Sequence, residues 1–220
     1  MQRISRWIVA GVCVVLAGMA GERAWAQGGA RPAGNGAPGL VAAAEKKLAI
    51  RHMPRLNKVK QPTPQYSTSA SRTSTGRPRE WGVFEITYLT FPEWMDEVVV
   101  TYHLMAERRG ADAKKAYSLY QTTVRYADVP KGEHTACVVL PPAALLRYGD
   151  QFIGLAVEFT AADGSLLAVQ NEVAGTVLPV DWWKKPDVTE SKTVVKREGL
   201  VDRSKTPFAL VNMDDYEVVK

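Results

Sequence analysis

The chain has 220 residues and two Cys, with 28 Lys or Arg against 23 Asp or Glu for a net charge of +5. That length holds one domain of ordinary size with a leader and a tail, and no second core is required. Two Cys cannot build a disulfide-dense scaffold, so an apolar interior must hold the fold.

Residues 1–26 read as a secretory signal peptide. Arg3 and Arg6 precede an apolar run from Trp7 to Met19, and Ala24, Trp25 and Ala26 form an A-x-A cleavage site before Gln27. The apolar run is shorter than the ~20 residues that span a bilayer, which argues against a retained anchor. The expectation is an exported protein of the periplasm or outer membrane. Cleavage would leave only Cys137, so an intramolecular disulfide is impossible, and the apolar neighbours in HTACVVL make this thiol a buried, inert one.

The overall charge conceals a split. Residues 27–80 carry ten Lys or Arg against two Glu, a net of +8, whereas residues 81–220 carry 15 against 20, a net of −5. Gln27 to Gly39 is Gly, Ala, Pro and Asn, a composition that cannot offset ordering entropy. Leu40 to Ile50 places Val41, Ala44 and Leu48 on one face, which predicts a short helix within 40–50, either docked or unpartnered. Pro54, Pro62, Pro64 and Pro78 interrupt the rest of a flexible linker that ends at residue 80. Lys46, Lys47, Arg51, Arg55, Lys58 and Lys60 make this linker an electrostatic tether suited to anionic lipid, an acidic envelope polymer or an acidic protein. Nucleic acid is a poor match for an exported chain. A purely solubilising linker is the plainer alternative.

From Trp81 the pattern becomes that of strands. Phe84, Ile86 and Tyr88 alternate until Pro92, which predicts the end of that strand. Val98, Val100, Tyr102 and Leu104 alternate with Val99, Thr101, His103 and Met105, so a central strand covered on both faces is expected over Glu97–Glu107. A strand over 116–126, a turn over DVPKGE at 128–133 and a short strand over His134–Leu140 follow. Pro141 and Pro142 open a helical turn closed by Gly149. A long hairpin then spans Asp150 to Val173, with Ile153, Leu155, Val157 and Phe159 facing the core and Asp163 and Gly164 supplying the turn. The sum is an all-β sandwich over 81–220 with one short helix between strands and a C-terminal extension whose Phe208, Leu210, Val211 and Val218 should pack on it.

Candidate chemistry is sparse. His52, His103 and His134 lack further ligands at metal spacing, although adjacent strands would bring His103 and His134 towards one another. Asp214, Asp215 and Glu217 read as a solvated cluster, and no G-x-S-x-G elbow is present. No catalytic residue, metal or cofactor is assigned. The aromatic residues lead instead: Trp94 in FPEWMDE, and Trp182 and Trp183 beside Lys184 and Lys185, form a candidate surface for a protein or a glycan, or else lock the tail to the sandwich edge.

The run from Trp81 to Val173, with RSKTPFALVNMDDYEVV at Arg203–Val219, resembles secreted immunoglobulin-like proteins encoded in pilus loci of verrucomicrobia. The resemblance covers the acidic domain and not the tether. It implies an immunoglobulin-like sandwich without a disulfide and a pilus-associated envelope role, with no catalytic residues to carry over. Paired Cys are missing, and Gly154 and Ala156 stand where the second would be sought. The expected function is therefore a non-enzymatic, protein-binding component of a cell-envelope assembly whose partner is an envelope or pilus-assembly protein or a second copy. The alternative is a carbohydrate-binding module.

Overall fold

The computed structural model describes residues 46–66, 78–108, 116–175, 178–212 and 217–220. The signal peptide, the Gly/Pro spacer and residues 40–45 of the expected helix lie outside them.

Two long strands organise the molecule. β3 (Glu80–Arg108) and β4 (Ala116–Leu140) run antiparallel along their whole length, Gly82 opposite Leu140 at one end and Arg108 opposite Ala116 at the other. Pro92 does not end a strand. Thr90 pairs with Gly132 and Trp94 with Pro130, so three β3 residues oppose one of β4 in a bulge that absorbs a proline unable to donate to the ladder. On the β4 side, the predicted turn at 128–133 is a continuing strand kinked by Asp128 at φ 53° and Gly132 at φ 147°.

The bulge lets one ribbon serve both layers of a sandwich. Before it, β3 pairs with β1 (Leu48–His52) and β2 (Lys60–Pro62); after it, β3 pairs with β5 (Gln151–Ala161), which carries β6 (Leu166–Val173) on its outer side. Phe84 from the first half meets Phe152 edge-on at 4.9 Å between ring centroids, and Tyr88 meets Phe159 at 5.0 Å. Phe152 and Phe159 lie opposite Ala106 and Val100, 22 and 12 positions along β3 from Phe84 and Tyr88, so these rings touch only because the ribbon folds over. The enclosed core unites Phe84, Ile86, Val98, Val100, Leu155 and Val157. The architecture is an all-β, immunoglobulin-like sandwich without a disulfide among the described residues, where Cys137 is free and buried.

The predicted hairpin is β5–β6, with Asp163 accepting from Ser165 N–H at 2.8 Å and Gly164 at φ 81°. One assignment within it changes. The β3–β5 register shifts between Met105 and Ala106, which turns Phe152 into the main core and sends Ile153 to the opposite face. α1 (Pro142–Tyr148) lies where Pro141 and Gly149 predict it, with Gly149 N–H donating to Leu145 O.

The linker expectation needs correction at its C-terminal end. Leu48–His52 is a strand on β3 rather than helix, and Leu48, Met53, Leu56 and Val59 are buried in the main core. Four apolar side chains spread over twelve residues supply enough burial to order a segment whose charges all point outward.

The segment after β6 covers the outer faces. A turn at Trp182–Lys184, α2 (Pro186–Thr189) and the parallel strand β7 (Val194–Arg197) lie over Met105, Leu119, Ile153 and Ala156. This is the second cover that the two apolar faces of Glu97–Glu107 require. β8 (Val201–Asp202) pairs with β4, and the following turns seat Phe208 on Val83, Cys137 and Val139, with Trp81 edge-on to it at 5.8 Å. β9 (Val218–Val219) returns to β4 at Tyr126 and Ala127. Leu210 and Val218 stay exposed, against expectation.

Candidate binding surface

The candidate aromatic surface divides. Trp94 stands at the bulge, 62% exposed, with Phe91 partly exposed nearby in the chain. Trp182 is fully buried and Trp183 nearly so, packed edge to face at 5.9 Å. They lie on a 3₁₀ turn rather than a strand, so they do not point to opposite sides, and neither presents a stacking face to solvent. Trp183 Nε1 donates to Glu158 at 2.9 Å, and Lys184 pairs with the same carboxylate at 3.0 Å while its ammonium lies 5.6 Å from the Trp183 ring centre. Burial raises the Glu158 pKa, but the hydrogen bonds from Trp183 and Lys184 outweigh it and hold the carboxyl below its ordinary value. Lys185 is exposed, its N–H directed to Trp182 O. Lys184 and Trp183 therefore act as a clasp on β5.

The predicted tether cations are fixed to the sandwich. Lys46 and Lys47 precede β1, Arg51 is on it, Arg55 and Lys58 occupy the turn before β2, and Lys60 pairs with Asp150. Of these, Arg55 and Lys58 join His52 in lining a groove of about 790 Å³, to which β3, β4 and the C-terminal segment contribute Glu85, Glu133 and Glu217. Two cations and three carboxylates line it, and with both signs present the groove does not select an anion or a cation by field alone.

His103 and His134 are not brought together: His103 sits opposite Gln121 and Ala156 after the bulge, His134 opposite Tyr88 before it. Burial holds the His103 pKa below its ordinary value, which favours the neutral ring. Sequence reasoning missed the partner of His134. Its Nδ1 contacts Glu217, 83 positions away, while Nε2 lies 2.7 Å from Pro130 O and 3.1 Å from Thr90 Oγ1. A carbonyl only accepts, so Nε2 donates to it. Both ring nitrogens are spent within the protein, and Gly132 N–H donates to Thr90 Oγ1 at 3.0 Å. The grouping straps the bulge shut; it does not present a base to a substrate. Asp214 and Asp215 lie outside the described residues.

Backbone groups offer a third feature. β6 hydrogen-bonds to β5 alone among the described strands, so its other edge has no strand paired to it, with β1 lying close by. Its sequence, LLAVQNEV, holds no Lys, Arg or Pro, and Leu166 and Val169 are exposed. Elsewhere the sheet edges are guarded: β1 ends in Arg51 and His52, β2 is Lys-Gln-Pro, β7 ends in Lys196 and Arg197, and β8 and β9 have two residues each. No group of three metal-ligating side chains occurs among the described residues.

These features define an immunoglobulin-like sandwich whose distinctive chemistry lies in surfaces and edges. A protein-family model matches residues 42–220, and the chain belongs to that family. Among solved structures, a crystal structure of a protein from Akkermansia muciniphila is similar, with a TM-score of 0.62 at 18% identity over 79% of this chain and 93% of that one. Identity at that level carries the fold alone. No curated protein matches the chain.

Proposed function

We propose that the chain is an exported, non-enzymatic, protein-binding component of a cell-envelope assembly, of the pilus-associated kind that its sequence resemblance implies. The observation that carries this reading is the open β6 edge. This eight-residue strand has no Lys, Arg or Pro and Glu172 as its one charge, and its outward backbone donors and acceptors are available to an added strand. The exposed cations Lys46, Lys47, Arg51, Arg55 and Lys58 would add weak attraction to an anionic lipid or polymer. Capture from envelope extract at low salt, with the full chain and its Val169→Lys variant as bait, tests the proposal. An envelope protein retained by the first and lost by the second is expected, and recovery of none would overturn it.

A second reading rests on one residue. Trp94, 62% exposed, offers a flat aromatic face to a sugar ring. Titration against a broad glycan panel should then change the Trp fluorescence of the wild type but not of Trp94→Ala. A flat response in both would sink it.

A further inference from the structure

Granting that the β6 edge is the binding edge, we infer that its occupant is a second copy of this chain, paired antiparallel about Asn171. Backbone direction along β6 is fixed by one hydrogen bond. Ala174 N–H donates to Ile153 O at 3.0 Å, so position 174 faces β5. Backbone groups of successive strand residues point alternately to the two sides. Positions 172, 170 and 168 therefore also face β5, and Val169, Asn171 and Val173 direct their N–H and C=O to the open edge.

Two copies related by a twofold axis normal to the sheet must oppose residues of the same face. Centring the axis on Asn171 satisfies this and uses all three outward residues of each strand. Val169 then meets Val173 of the second copy, Asn171 meets Asn171, and Glu172 meets Gln170. The two apolar pairs flank a self-complementary amide pair. Glu172, the one charge in the strand, faces an amide able to donate to it rather than its own copy. Antiparallel self-pairing of β1 about Ile50 would set Ala49 opposite Arg51 and Leu48 opposite His52. Antiparallel self-pairing of β7 would set Lys196 opposite Val195 within a stretch of four residues, half of them cationic.

Sedimentation velocity of the full chain across a concentration series should show a dimer of twice the 24.2 kDa chain mass. Val169→Lys should return it to monomer. Asn171→Pro should do the same without loss of thermal stability, because the N–H it removes points away from β5; Gln170→Pro, which removes a β5-facing donor, should lower stability. The register has its own test. An Asn171→Cys variant places two thiols in a pair whose Cα atoms are about 5.5 Å apart, within disulfide reach. Mild oxidation should cross-link it, while Leu210→Cys, at an exposed site on the tail, should stay uncross-linked. A monomer at every concentration, or a dimer indifferent to Val169→Lys and Asn171→Pro, overturns the inference. If the monomeric chain still loses an envelope partner on Val169→Lys, self-pairing falls and strand addition to another protein stands.

Discussion

Gly154 on β5 lies against the indole of Trp182. A Cβ at that position would stand 3.0 Å from Trp182 Cζ2 and 2.5 Å from Leu178 Cδ1. The glycine is required by this close approach and not by its backbone conformation. It lets a large aromatic side chain lie flat on the outer face of the second layer, together with Met105 and Ala156. Gly154→Val should therefore destabilise by about 1–3 kcal/mol through overpacking, and Trp182→Ala by about 3–5 kcal/mol through the void it leaves. Urea unfolding followed by circular dichroism checks both. A neutral Gly154→Val would mean that the tail does not seat on β5.

Cys137 is expected to be unreactive in the folded chain. Burial pushes its thiol well above the ordinary value, the nearby Glu85 carboxylate adds to this, and the thiolate is the reacting form. Phe208 also covers it. Alkylation at Cys137, read by peptide mass, should be absent in buffer and complete in denaturant. Phe208→Ala should admit the reagent at measurable rates without denaturant.

The β5–β6 hairpin and α1 were legible because their signals are local: alternation, Asp163 with Gly164, and Pro142 with Gly149. The union of β3 and β4 was hidden for a physical reason. Pro92 and Gly132 carry the signature of strand ends, and only the pairing partner across the ribbon turns them into parts of a bulge. Leu48, Met53, Leu56 and Val59 sit among six Lys or Arg between 46 and 60 without a two-residue alternation, so no local pattern distinguishes an edge segment docked on a core from a solvated arm. The burial of Trp182 depends on Gly154, and the partner of His134 on a residue near the C-terminus. Neither spacing is readable along the chain.

The C-terminus should make the fold acid-sensitive. Glu97 accepts from Lys220 Nζ at 2.6 Å and from Arg125 Nη1 at 2.8 Å. The hydrogen bond from Lys220 is the main cause that holds its carboxyl below the ordinary 4.5, with Arg125 adding to it and burial opposing. A depressed folded-state pKa gives stability that is present above the unfolded value and lost as pH falls through the folded one. Melting temperature should accordingly fall below pH 4.5 more steeply in the wild type than in Glu97→Gln. Removal of Lys220 should flatten the wild-type curve, and identical slopes in all three would exclude the clamp.

The strap across the bulge should behave as one unit. Glu217→Ala leaves Nδ1 of the buried His134 ring without its acceptor, and Thr90→Val strands Gly132 N–H and removes the contact at Nε2. Each should cost about 1–3 kcal/mol, the range for leaving a buried polar group unsatisfied. Because both act through His134, the double variant should lose less than the two together, by about 0.5 kcal/mol or more. Denaturant unfolding of the four proteins in the cycle measures this. Strict additivity would show that Thr90 and Glu217 act separately. The bulge that lets one ribbon build both layers would then be held by β4 pairing alone.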